Sequence, residues 1–99
     1  MMDLIKKCKI ETFFSDGTLG ENIDGIITIK ESSIKLSFDN EEGNSQYVGH
    51  ELDTRSHYHL KGNWSPLATM VLHHIPNSKF INGYFQEEDI FGMIRIILD

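Results

Sequence analysis

The stretch HYHLKGNWSPLATMVLHH, His57 to His74, holds four of the chain's five histidines and its only tryptophan. Imidazole is the commonest metal ligand among side chains and the usual proton carrier near neutral pH, so the first question is whether these rings converge. Residues i and i+2 of a strand share a face, so His57-x-His59 presents two imidazoles side by side. His50, His73 or His74 could add a third from a neighbouring strand. A catalytic zinc needs three protein ligands and an open position, and this spacing fixes only two. Tyr58 and Leu60 would take the core face, which turns His57 and His59 outward with Lys61. These histidines therefore read as polar residues on a solvated face, with no metal and no cofactor expected. His73 and His74 are adjacent and point to opposite sides, so at most one of them joins any given site.

Other reactive groups are no better placed. Cys8 stands between Lys7 and Lys9 but has no histidine near it in sequence, and a lone cysteine at an alternating apolar position is ordinarily a core residue. Glu87, Glu88 and Asp89 fall in a turn, where carboxylates solvate a loop. Gly83 and Gly92 lie inside strand patterns and mark a bulge, a sharp corner or a ring packed across the backbone rather than a phosphate loop. No catalytic residue is assigned. For a binding mouth the residues of choice are Tyr47, Arg55, Tyr58, Trp64 and Tyr84, since aromatic rings with a polar handle and an arginine fork hold planar or anionic ligands. The alternative for each tyrosine is a cross-strand ring contact.

Period-two alternation recurs along almost the whole chain, and no window of eleven or more residues shows a clean helical period. KCKIETFF puts Cys8, Ile10, Thr12 and Phe14 on one face and Lys7, Lys9 and Glu11 on the other, and SDGTLGEN then reads as a loop. GIITIK and IKLSF form a hairpin around Glu31-Ser32-Ser33. DNEEGNS is a turn, and QYVGHEL and HYHLKG pair around Asp53-Thr54-Arg55. Trp64-Ser65-Pro66 interrupts pairing because proline has no N–H to give. LATMVLHH, KFINGYF and IFGMIRIIL follow, separated by IPNS and QEED. The expected fold is all-β: an eight-stranded antiparallel meander closing into a lipocalin-like barrel, with a two-sheet sandwich as the runner-up. Inward candidates are Phe14, Ile29, Leu36, Phe38, Val48, Tyr58, Leu60 and Ile94, enough bulk to pack most of an eight-stranded interior and confine any pocket to one mouth.

Two late strands are apolar on both faces, and something must cover the second face. A second sheet, the amino-terminal segment or another subunit would serve. A homodimer through Met70, Leu72, Phe91, Met93 and Ile97 is the third of these.

Ninety-nine residues make one domain, 1–99, large enough to fold without staples. One cysteine cannot form an internal disulfide, so a reducing, cytoplasmic location is expected. No apolar run approaches the length of a spanning helix, and the start is not that of a signal peptide, so no membrane partner is expected. Nine basic against fifteen acidic residues leave a net charge of −6, which repels duplex nucleic acid and suits a basic protein partner.

The carboxy-terminal half, HYHLKG…ATMVLHHIPNSKFINGYFQEEDIFGMIRIIL, resembles the closing strands of small bacterial lipocalin-like (calycin-type) barrels. The residues that carry the likeness are Ala68, Ile81, Gly83, Tyr84, Phe85, Gly92, Ile94 and Ile96. A related pattern occurs in the strand-rich sensor domain of cyclic-nucleotide anti-phage effectors, without their transmembrane helices here. The resemblance implies a barrel that binds a small ligand, with a nucleotide among the options, and it assigns no functional residue. The leading expectation is a non-enzymatic barrel holding a small polar or planar ligand at one mouth. A protein-interaction module using the apolar late strands comes second, and a metal enzyme on His57 and His59 third.

Overall fold

The structure, a computed structural model, describes residues 4–17, 19–40, 43–51, 57–74 and 77–98. Eight strands follow one another: β1 (Leu4–Phe14), β2 (Leu19–Lys30), β3 (Ser33–Asn40), β4 (Gly43–Glu51), β5 (His57–Gly62), β6 (Ala68–His74), β7 (Phe80–Glu87) and β8 (Ile90–Leu98). Each pairs antiparallel with the next, and β1 also pairs with β8, from Cys8 opposite Leu98 to Phe14 opposite Gly92, so the sheet closes. The all-β meander barrel is thus the fold, and closure gives each of the eight described strands a neighbour on both sides. No helix long and apolar enough to cross a membrane occurs among the described residues.

Alternation decides the interior. Cys8 and Ile10 of β1, Ile27 and Ile29 of β2, Ile34 and Leu36 of β3, and Ile94, Ile96 and Leu98 of β8 are all buried, while their neighbours in sequence face out. Val48, expected inside, faces out and is 46 % exposed. The register pairs Leu36 with Tyr47, so the tyrosine takes the lumen and its neighbour the surface. Met70 and Leu72 also require correction as contacts between subunits. They are 3 % and 0 % exposed, because β6 turns Ala68, Met70 and Leu72 inward. Of the five residues expected to pair two copies, only Phe91, Met93 and Ile97 lie on the outer wall.

The turns are shorter than composition suggests. SDGTLGEN is loop only at its start: Gly17, at φ 89°, reverses the chain, and β2 begins at Leu19, opposite Phe13 after a register shift between Glu11 and Phe13. Glycine at 17 meets a backbone angle that other residues adopt at a cost. QEED likewise reduces to Glu88-Asp89, since β7 runs to Glu87. The connector Asp53-Thr54-Arg55 lies outside the described residues.

Three glycines let neighbouring strands approach closely. A β-carbon on Gly83 would overlap the carbonyl oxygen of Val71, one on Gly49 the carbonyl oxygen of His59, and one on Gly92 the carbonyl oxygen of Phe13. At these points the neighbouring strand lies so close that only a hydrogen fits. Gly83 and Gly92, read from sequence as a bulge, a corner or a ring seat, are thus places where one backbone approaches another.

Candidate functional site

The connections β1–β2, β3–β4, β5–β6 and β7–β8 all lie at one end of the barrel, and there the lumen opens into a cavity of about 780 Å³. Phe38 from β3, Tyr47 from β4 and Trp64 from the β5–β6 connection form an aromatic cluster on one side of it. Tyr47 stacks on Phe38 with ring centroids 6.3 Å apart and meets the edge of Trp64 at 4.9 Å. Trp64 bends over Gly62, where a β-carbon would press on the indole ring, so the absent side chain lets the ring fold toward the mouth. On the other side Phe14 and Phe85 meet edge to face at 6.4 Å.

Polar groups are few. Asn44 donates to Ser37 Oγ (3.2 Å), the Phe38 carbonyl (3.3 Å) and Asp39 Oδ1 (3.1 Å), which ties the end of β3 to the start of β4. Asn63 Oδ1 accepts from the Gln46 N–H at 3.1 Å while the Asn63 N–H donates to the Gln46 carbonyl, closing the β4–β5 end. The principal contact crosses the lumen: Tyr47 Oη donates to Glu87 Oε1 at 3.0 Å, linking β4 to β7. Burial first, and then the charge and hydrogen bond of Glu87, hold the Tyr47 hydroxyl far above its ordinary pKa, so it remains a donor. Glu87 carries the one charge among the described lining residues.

Of the five residues proposed from sequence for a binding mouth, Tyr47 and Trp64 line this cavity. Tyr58 points inward on β5 but stands toward the opposite end, where burial and then the Glu51 carboxylate push its pKa up. Tyr84 faces out and is 57 % exposed. Arg55 lies outside the described residues. Sequence reasoning placed Phe38 in the core without assigning it to the site, and it set Glu87 in a solvated turn. The signal for Glu87 was present: alternation from Ile81 through Gly83 and Phe85 brings residue 87 to the inward face.

The histidines occupy the outer wall nearer the other end. His57 and His59 face out as expected, with their Nε2 atoms 3.2 Å apart, and His57 packs edge to face on His73 at 4.2 Å between centroids. His74 turns the other way and its Nε2 meets the Ser78 carbonyl at 2.9 Å. No set of three His, Cys, Asp or Glu side chains among the described residues converges as a ready metal site. Cys8 is buried in the core.

No protein-family model, curated protein or solved structure matches the chain.

Proposed function

We propose that the protein is a non-enzymatic binder that takes a small planar ligand, neutral or cationic, into the open mouth of the barrel. The observation that carries this reading is the aromatic-walled cavity whose one described charge is the Glu87 carboxylate. Its volume falls in the range of small-molecule sites, which are mostly apolar with a few polar groups that fix orientation. Eight-stranded meander barrels of the lipocalin-like kind hold ligands in the same place, and that resemblance supports the reading. The expectation of a nucleotide narrows accordingly. A base with exocyclic N–H groups suits the rings and the carboxylate, whereas a phosphate would meet Glu87 and no described lysine or arginine in the lining.

Trp64 is the only tryptophan, so its fluorescence reports on this cavity without a label. Neutral and cationic planar heteroaromatics should quench it and raise the melting temperature, by the equivalent of about 2.7 kcal/mol at one hundred times Kd. Trp64→Ala should weaken binding tenfold or more, roughly the worth of one aromatic contact in a desolvated site. Glu87→Gln should weaken cationic ligands only. A panel without a single quencher or stabiliser would overturn the reading.

One observation favours an interaction surface as a second reading. Tyr84, Met93 and the partly buried Phe13 stand opposite one another across β7, β8 and β1 on the outer wall, with the exposed Phe91 beside them. Met93 is 66 % exposed. Light scattering that finds only monomer at every concentration would remove the homodimer form of this reading.

A further inference from the structure

The strand register gathers four imidazoles on one outward patch. β5 carries His57 and His59; His50 on β4 stands opposite His59, and His73 on β6 stands opposite His57. Cross-strand partners have β-carbons only about 5 Å apart, and the His73 ring meets that of His57 edge to face. Within that pair the Nε2 atoms are 3.2 Å apart. Two imidazole nitrogens, each about 2.0–2.1 Å from a tetrahedral ion, stand about 3.3–3.4 Å apart, so the pair already has the bite of a two-histidine chelate.

We propose that this patch binds a divalent late transition-metal ion, Zn²⁺ or Cu²⁺, through Nε2 of His57 and Nε2 of His59, with His73 as the third ligand. Imidazole suits these ions and not the hard Mg²⁺ or Ca²⁺, and the proposed ligands are nitrogens rather than the oxygens those ions require. The three rings do not converge in the metal-free arrangement; His73 lies edge to face against His57 and is exposed, and ligation requires its side chain to turn a ring nitrogen toward the ion. Water completes the coordination. Ligation needs a lone pair on both Nε2 atoms, so each ring bound to the ion carries its proton on Nδ1. Lys61, the next outward residue on β5, opposes the added charge and weakens the site without occupying it. The ion would tie β5 to β6 on the wall, independently of the mouth.

The test is a calorimetric Zn²⁺ titration of the full chain, with a thermal scan before and after chelation by EDTA. Wild type should take up one equivalent and melt higher with the ion, and EDTA should reverse the rise. The paired substitution His57→Gln/His59→Gln should abolish both effects, and His73→Gln should weaken binding about tenfold, the loss of one ligand. His74→Gln, whose ring faces Ser78, should bind as wild type. Because these side chains lie outside the barrel, far-UV circular dichroism should be unchanged in every variant. Nitrogen hyperfine structure in the Cu²⁺ electron paramagnetic resonance spectrum should count three imidazoles in wild type and two in His73→Gln. No uptake by wild type, or equal uptake by the paired variant, would overturn the proposal.

Discussion

The two ends of the barrel are built from the same alternating pattern and have opposite interiors. Toward the end that holds both described chain ends, Ile29, Ile34, Leu72, Ile81 and Ile96 fill the lumen and are fully or nearly fully buried. At the other end the inward positions go to Phe14, Phe38, Trp64 and Ile90, each large and each 37 % or more exposed except the half-buried Phe38. Branched aliphatic side chains interdigitate to the density of a crystal, whereas flat rings bound at one edge leave space between them. Strand count alone therefore does not decide whether a small barrel is solid or hollow; residue shape at each level does.

That contrast can be broken at several points. The largest effect is expected at Gly83, where β7 approaches the backbone of β6. Gly83→Ala drives a methyl group into the Val71 carbonyl and should cost more than about 3 kcal/mol in urea denaturation, beyond ordinary overpacking because the obstacle is backbone. A loss below about 1 kcal/mol would mean that β6 and β7 do not cross as closely as described. Next comes a matched pair of identical substitutions. Ile81→Ala, in the packed end with its side chain fully buried, should cost about 2–5 kcal/mol; Ile90→Ala, half exposed at the mouth, should cost less than about 1 kcal/mol. Equal losses would erase the distinction between the ends.

The smallest effect sharpens the boundary between them. Tyr47→Phe removes the donor to Glu87 and should cost about 1 kcal/mol at neutral pH, a hydrogen bond to a carboxylate that water partly replaces at the mouth. Its signature lies at high pH. Tyr47 and Tyr58 both have folded-state pKa values raised above 10.0, so their contribution is complete below pH 10. It is lost as pH rises, because the unfolded tyrosines release protons that the folded ones keep. Stability should thus fall as pH climbs above 10, and Tyr47→Phe should flatten that fall. An identical alkaline profile in the variant would place the tyrosine hydroxyl in open water.

The fold was legible because alternation is a property of neighbours in sequence. Cys8 with Ile10, Ile27 with Ile29, and Ile34 with Leu36 each announce a buried face without reference to any other strand. Errors arose where two adjacent residues were both large. Val48 competes with Tyr47, and Val71 with Met70 and Leu72, so hydrophobicity alone cannot choose the parity; the cross-strand register does, and it is a long-range property. The site was half legible for the same reason. Tyr47 and Trp64 declare themselves by ring chemistry, but Glu87 gains its meaning from a tyrosine forty positions away. The histidine pair was legible as a pair, while the distance between its nitrogens was not.

The Tyr47–Glu87 link spans the interior between strands that are not neighbours. That link stands at the mouth, and the aliphatic side chains packed beyond it, Ile34, Leu72, Ile81 and Ile96, make the barrel a cup rather than a pipe: a guest would enter and leave by the same opening, and one longer than the cup is deep would keep its far end outside.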